Sequence, residues 1–123
     1  MLTSYEKNRM MQAYMLLYEV ENYVRSTIEQ AMKDAYGTKW FTKAPKLYNM
    51  PSPPKSFLEL TFFQYELYYL RKYPIFNLTS ALSYHFYVLY PLRNKVAHHH
   101  CLSLYEFQQL KRSSYYVLRE LKC

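Results

Sequence analysis

Glycine is almost absent. Gly37 is the only one in 123 residues. A β-rich protein of this size needs several tight turns, and glycine is the usual route to positive φ in them. Its scarcity predicts few turns and long helices, an all-α chain. Cysteine is scarce too: Cys101 and Cys123 form no CxxC pair and no disulfide framework, which fits a reducing compartment, the cytoplasm. The segment from Met1 to Lys7 has no apolar core of a secretory signal. The most apolar stretch, Leu78 to Leu92, is short for a membrane span and contains His85 and Pro91. It reads as a core helix, and no membrane insertion is expected. Acidic residues are few, 9 against 16 Lys and Arg, a net charge of +7. A basic surface attracts polyanions; nucleic acid is the commonest, and anionic membrane surfaces compete for the same signal.

Apolar residues make up 50% of the chain. That is enough for one hydrophobic core, so residues 1–123 read as a single helical domain. Thr3-Ser4-Tyr5-Glu6 has the form of a capping box, and behind it Met10, Tyr14, Leu17, Val24, Ile28, Ala31 and Ala35 recur at helical steps with a gap at Glu21. Gly37 should stop this first helix, which is predicted over 4–36. Residues 37–56 carry Pro45, Pro51, Pro53 and Pro54 with Lys39, Lys43, Lys46 and Lys55. They read as a basic, proline-rich loop pinned to the core by Trp40 and Phe41. Ser56-Phe57-Leu58-Glu59 has the form of a second box, predicting a helix from 57 to about 72. A third helix should start near Thr79 or Ser80 and be kinked or restarted at Pro91. Ser103-Leu104-Tyr105-Glu106 opens a last helix over 104 to about 121. The architecture expected is a four- to five-helix bundle.

Arg93-Asn94-Lys95-Val96-Ala97-His98 is the informative segment, because polar residues follow directly on the apolar pattern of Tyr87 to Leu92. On a helix Asn94 and His98 share a face, and the Arg93 fork can swing towards it. The group suits a phosphodiester: His98 moves a proton, Arg93 holds a phosphate and stabilises its charge, and Asn94 orients the backbone or His98. The bland alternative is a capped helix end with solvated polar residues. His98, His99 and His100 also invite a zinc or nickel reading, but no cysteine or carboxylate stands at the usual ligand spacing, so no metal is assigned. His85 reads as a satisfied core histidine. The 16 tyrosines read as core and interface residues, with base stacking as the alternative for some.

Arg93-Asn94-Lys95-Val96-Ala97-His98-His99 resembles the signature of the HEPN superfamily, Arg and then His after four to six residues. The form Arg-Asn-x-x-Ala-His-His looks most like its Abi-like (abortive infection) branch. Leu17-Tyr18-Glu19-Val20-Glu21, and Tyr36-Gly37 with Trp40-Phe41, resemble that branch's long first helix and its ending; Ser103 to Glu106 resembles its final helix start. The resemblance implies a helical bundle that pairs as a homodimer and brings two motifs into one cleft. It implies a metal-independent endoribonuclease without cofactor, a toxin or antiviral effector acting on RNA, with Arg93, Asn94 and His98 catalytic. Lys95, His99, Lys39, Lys43 and Lys46 would then contact RNA, and an antitoxin, protein or RNA, is an implied partner. The family also holds inactive RNA-binding and scaffold modules, which stand as the alternative. One toxin subgroup carries a tyrosine two residues after the motif histidine, as a modification site. His100 stands there in this chain, so neutralisation by that route is not expected.

Overall fold

The computed structural model describes residues 1–122; Cys123, one of the two cysteines read above, lies outside them. Every regular element among the described residues is helical. The helices are α1 (Ser4–Tyr36), α2 (Trp40–Leu47), α3 (Phe62–Tyr65), α4 (Ser80–Ala97) and α5 (Leu104–Lys122). Short 3₁₀ turns occupy Phe57–Glu59 and Pro74–Phe76, and a π turn follows α3 over Glu66–Leu70. The chain forms two compact units: Met1–Tyr23 with the chain from Thr79 onward, and Val24–Leu78.

The helix ends follow from local chemistry. At the start of α1 the Glu6 amide donates to Thr3 Oγ1 at 3.1 Å and the Thr3 amide to Glu6 Oε1 at 2.9 Å, a complete capping box. Gly37 ends α1 at φ +88°, where its amide bonds the Lys33 carbonyl. The Thr79 hydroxyl accepts from the Leu82 amide at the start of α4. Ser103 and Glu106 repeat the reciprocal box at α5, at 2.9 and 3.1 Å.

In the first unit α4 packs directly on α5. Ala13, Leu17 and Val20 of α1, Phe86 and Leu89 of α4, and Leu110 and Val117 of α5 are buried. The buried stripe of α1 continues through Val24, Ile28 and Met32, so the periodicity holds but its register differs from the sequence reading. Tyr14 and Ala35 are exposed, and Ala13 and Met32 take the core positions. Pro91 does not divide α4, which is a single helix of 18 residues.

The second unit departs further from expectation. The segment read as a loop carries α2, with Pro45 inside it. In so short a helix Pro45 removes only the bond to the Phe41 carbonyl, while Trp40, Ala44 and Pro45 are all buried on one side. The helix expected over 57–72 is broken as well. Leu60 is extended (ψ 149°) and separates the 3₁₀ turn from α3. Ser56 caps nothing: its hydroxyl donates to Glu59 at 2.6 Å. The working capping box is Thr61 with Gln64. An aromatic core holds the unit, with Phe57 4.9 Å from Trp40, Tyr69 5.4 Å from Phe57 and Tyr73 stacked on Tyr69. The Tyr69 hydroxyl is buried without a hydrogen-bond partner. Its pKa is raised, by burial first and then by Tyr73 and Tyr65.

Candidate functional site

The last turn of α4 and the residues after it carry most of the polar groups singled out in the sequence. Apolar positions Leu89 and Leu92 face the core, which leaves Arg93 and Val96 half-buried and Asn94 and Ala97 exposed. α4 then closes in a Schellman motif. The His99 amide bonds the Val96 carbonyl at 3.1 Å and the His100 amide bonds the Lys95 carbonyl at 2.8 Å. His98 is the cap, its amide on the Asn94 carbonyl. His99 takes the left-handed position at φ +62°, a conformation costly for any residue but glycine.

The turn separates the three histidines. A cavity of about 410 Å³ opens between α1 and the end of α4, lined by Arg93, Val96, Ala97 and His99 together with Leu17, Tyr18 and Glu21. That volume is in the range of small-ligand sites. Asn94 and His98 are exposed and line no part of it. His98 and His100 lie near one another, ring centroids 6.4 Å apart. Among the described residues no group of three or more His, Cys, Asp or Glu is placed to hold a metal ion.

Arg93 Nε donates to Glu21 Oε1 at 3.0 Å, both side chains about one-third exposed. Glu21 was not singled out as a site residue, although the sequence carried a signal: it is the gap in the apolar stripe of α1. Lys95 does not face the cavity; its ammonium bonds Glu106 of α5. Glu106 thereby holds two partners, and Lys95 followed by the Ser103 amide keeps its carboxyl below the usual range.

The segment from His98 to Ser103 is tied down on its far side. Arg9 Nη1 donates to the Leu102 carbonyl at 3.0 Å, the Leu102 amide meets Met10 Sδ at 3.2 Å, and Leu102 is fully buried. Cys101 points its thiol at Glu6, 3.7 Å away. Desolvation first, and then the Glu6 charge, push this thiol up, which disfavours the reactive thiolate. The remaining candidates, Lys39, Lys43 and Lys46, belong to the second unit. They are exposed, Lys39 at the N-cap of α2 and Lys43 and Lys46 one turn apart within it.

Comparison of the chain with protein-family models, with curated proteins and with solved structures gave no match.

Proposed function

We propose that this chain is a metal-independent, RNA-cleaving domain of HEPN type, acting as a homodimer and as a toxin or antiviral effector. The observation that carries the reading is the cavity that Arg93 and His99 both line, at the segment that resembles the HEPN signature. A guanidinium and an imidazole can together serve transesterification of RNA: one holds the phosphate and its growing charge, the other moves the proton. In this reaction the ribose 2′-OH gives its proton to the imidazole and its oxygen attacks the adjacent phosphorus. The P–O5′ bond breaks, and the leaving oxygen takes up a proton. The products are a 2′,3′-cyclic phosphate and a 5′-hydroxyl.

The two adjacent histidines divide the support. Motif spacing favours His98 as the proton carrier, and the cavity lining favours His99. Asn94 supports the turn through its backbone, since its carbonyl accepts from the His98 amide. Dimer formation is supported by Met11, Tyr14, Met15 and Tyr18, a run of α1 side chains each at least 59% exposed. Apolar surface of this kind is what a second copy would cover.

The test is incubation with a labelled transcript in excess EDTA, followed by end-group analysis, beside Arg93→Ala. Cleavage with cyclic phosphate ends, lost in the variant, is the expected result. Cleavage restored only by added magnesium or zinc, or retained in Arg93→Ala, would refute the mechanism. Binding without cleavage would turn the reading to a non-catalytic RNA-binding module.

A further inference from the structure

Away from the Arg93 cavity, an ordered group of aromatic and cationic side chains sits where α4 packs on α5. His85 of α4 stacks on Tyr116 of α5, ring centroids 4.1 Å apart and planes 26° from parallel. His85 Nδ1 lies 2.9 Å from Ser113 Oγ, and Ser113 is buried. The imidazole is thus fixed through one nitrogen, and Nε2 takes no part in that bond. Tyr84 meets His85 edge-on at 5.3 Å and remains 60% exposed.

Cations flank these rings. The Arg119 guanidinium lies over the Tyr116 ring at 5.3 Å. Arg112, also exposed, stands one turn before Tyr116 on the same face of α5. Burial first, and then Arg112 and Arg119, hold the pKa of His85 down. The acidic neighbour is Glu120, 3.8 Å from Arg119, and α4 contains no acidic residue at all.

Rings with cations one helical turn to either side match a single strand, in which bases and phosphates alternate. An acidic peptide would use the cations and leave the rings idle. A membrane surface would call for aliphatic side chains between the cations, where this surface has Tyr115 and Tyr116. We propose that this α4–α5 surface docks single-stranded RNA, with a base stacking on the exposed Tyr84, which the His85–Tyr116 stack holds in place, and phosphates held by Arg112 and Arg119. The proposal rests on the reading of the Arg93 cavity only in naming RNA as the nucleic acid. His85 precedes Arg93 by about two turns of α4, a rise of ~12 Å, so one strand can follow this unit from the surface to the cavity.

The experiment is fluorescence anisotropy with a labelled oligouridylate, in an Arg93→Ala background so that cleavage does not intervene. The double variant Arg112→Gln/Arg119→Gln is expected to bind more weakly. It should also lower the slope of log K against log salt by about 1.4, from ~0.7 per phosphate contact. Tyr84→Ala is expected to cost about tenfold in affinity with little change in slope, and Tyr84→Phe, which keeps the ring, to bind as the parent does. Tyr84, Arg112 and Arg119 are exposed, and melting curves check that each variant folds. Unchanged affinity and slope in the double variant would overturn the proposal. So would Tyr84→Ala losing as much affinity for the same strand annealed to its complement, since paired bases cannot stack on the ring. Loss of binding to phosphatidylserine vesicles, with oligouridylate binding intact, would assign the surface to lipid and equally overturn it. Cleavage by the unmutated protein tests the Arg93 reading separately, and only the binding measurements bear on this surface.

Discussion

Replacing His99 with glycine is expected to stabilise the protein while impairing RNA cleavage. His99 sits at φ +62°, where an L-residue bears about 1–2 kcal/mol of backbone cost. Glycine removes that cost but loses more freedom on folding, about 0.5–1 kcal/mol. The net gain is about 0.5–1 kcal/mol, a rise in melting temperature of roughly 2–5 °C for a chain of this length. The imidazole is exposed, so its removal leaves no hole in the core. His99→Ala is the control: it deletes the same imidazole but keeps the strained backbone, and should be about 0.5–1 kcal/mol less stable than His99→Gly, melting roughly 2–5 °C lower. Thermal melting followed by circular dichroism, with the two variants side by side, reads the difference. If His99→Gly melts at or below His99→Ala, the left-handed turn is not a source of strain and the reasoning fails. The cleavage assay then separates the two histidines. Loss in both His99 variants assigns proton transfer to His99, whereas full activity there and loss in His98→Ala assigns it to His98, at a cost of about 10²- to 10⁴-fold in rate.

Thr61→Ala is expected to cost about 1 kcal/mol and Ser56→Ala less than about 0.5, because only Thr61 satisfies helix amides; urea unfolding of the two variants checks the order. Stability should fall as pH drops through the ordinary histidine range. With the His85 pKa depressed in the folded state, the unfolded chain binds the extra proton first, so acid favours unfolding. His85→Gln should flatten that part of the stability–pH curve, and an NMR titration should place the His85 midpoint below that of an unperturbed histidine.

Where a helix boundary depends on residues adjacent in sequence, it was legible. α1, α4 and α5 begin at Thr3, Thr79 and Ser103, whose hydroxyls bond amides three residues on. The errors fall where local rules compete. Ser56-x-x-Glu59 and Thr61-x-x-Gln64 carry the same signature only a few residues apart, and the extended Leu60 between them decides which one caps a helix. Pro45 argued against α2, but the burial of Trp40 and Ala44 outweighs one missing hydrogen bond. In the candidate site, Arg93 and the histidines were visible as polar residues after an apolar run. The separation of His98 from His99 was not, because it depends on a single left-handed residue after the helix. Histidine is among the residues enriched there, but the sequence offers no glycine or asparagine to mark the turn. Glu21 showed only as an interruption of a stripe, since its partner lies on α4, far along the chain.

That ion pair bears directly on how the cavity would take RNA. With Glu21 at 3.0 Å, Arg93 already has a carboxylate where a phosphate would bind. A partly exposed pair of this kind contributes no more than about 1 kcal/mol to stability, so a competing anion can displace it. The displaced carboxylate would still stand beside the incoming phosphate, and like charges in a half-buried site repel. Glu21→Gln keeps the side-chain shape and an oxygen for Arg93 but removes the charge. It is expected to tighten binding of a labelled oligonucleotide about three- to tenfold at low salt, with a loss of folding stability under ~1 kcal/mol. The gain should shrink as salt is raised, because the repulsion removed is electrostatic. Glu21→Gln in an Arg93→Ala background should gain less, since the arginine that draws the phosphate beside Glu21 is gone. If Glu21→Gln weakens binding, Glu21 positions Arg93 for the phosphate instead of competing with it. Equal effects with and without Arg93 would remove the ion pair from the RNA site altogether.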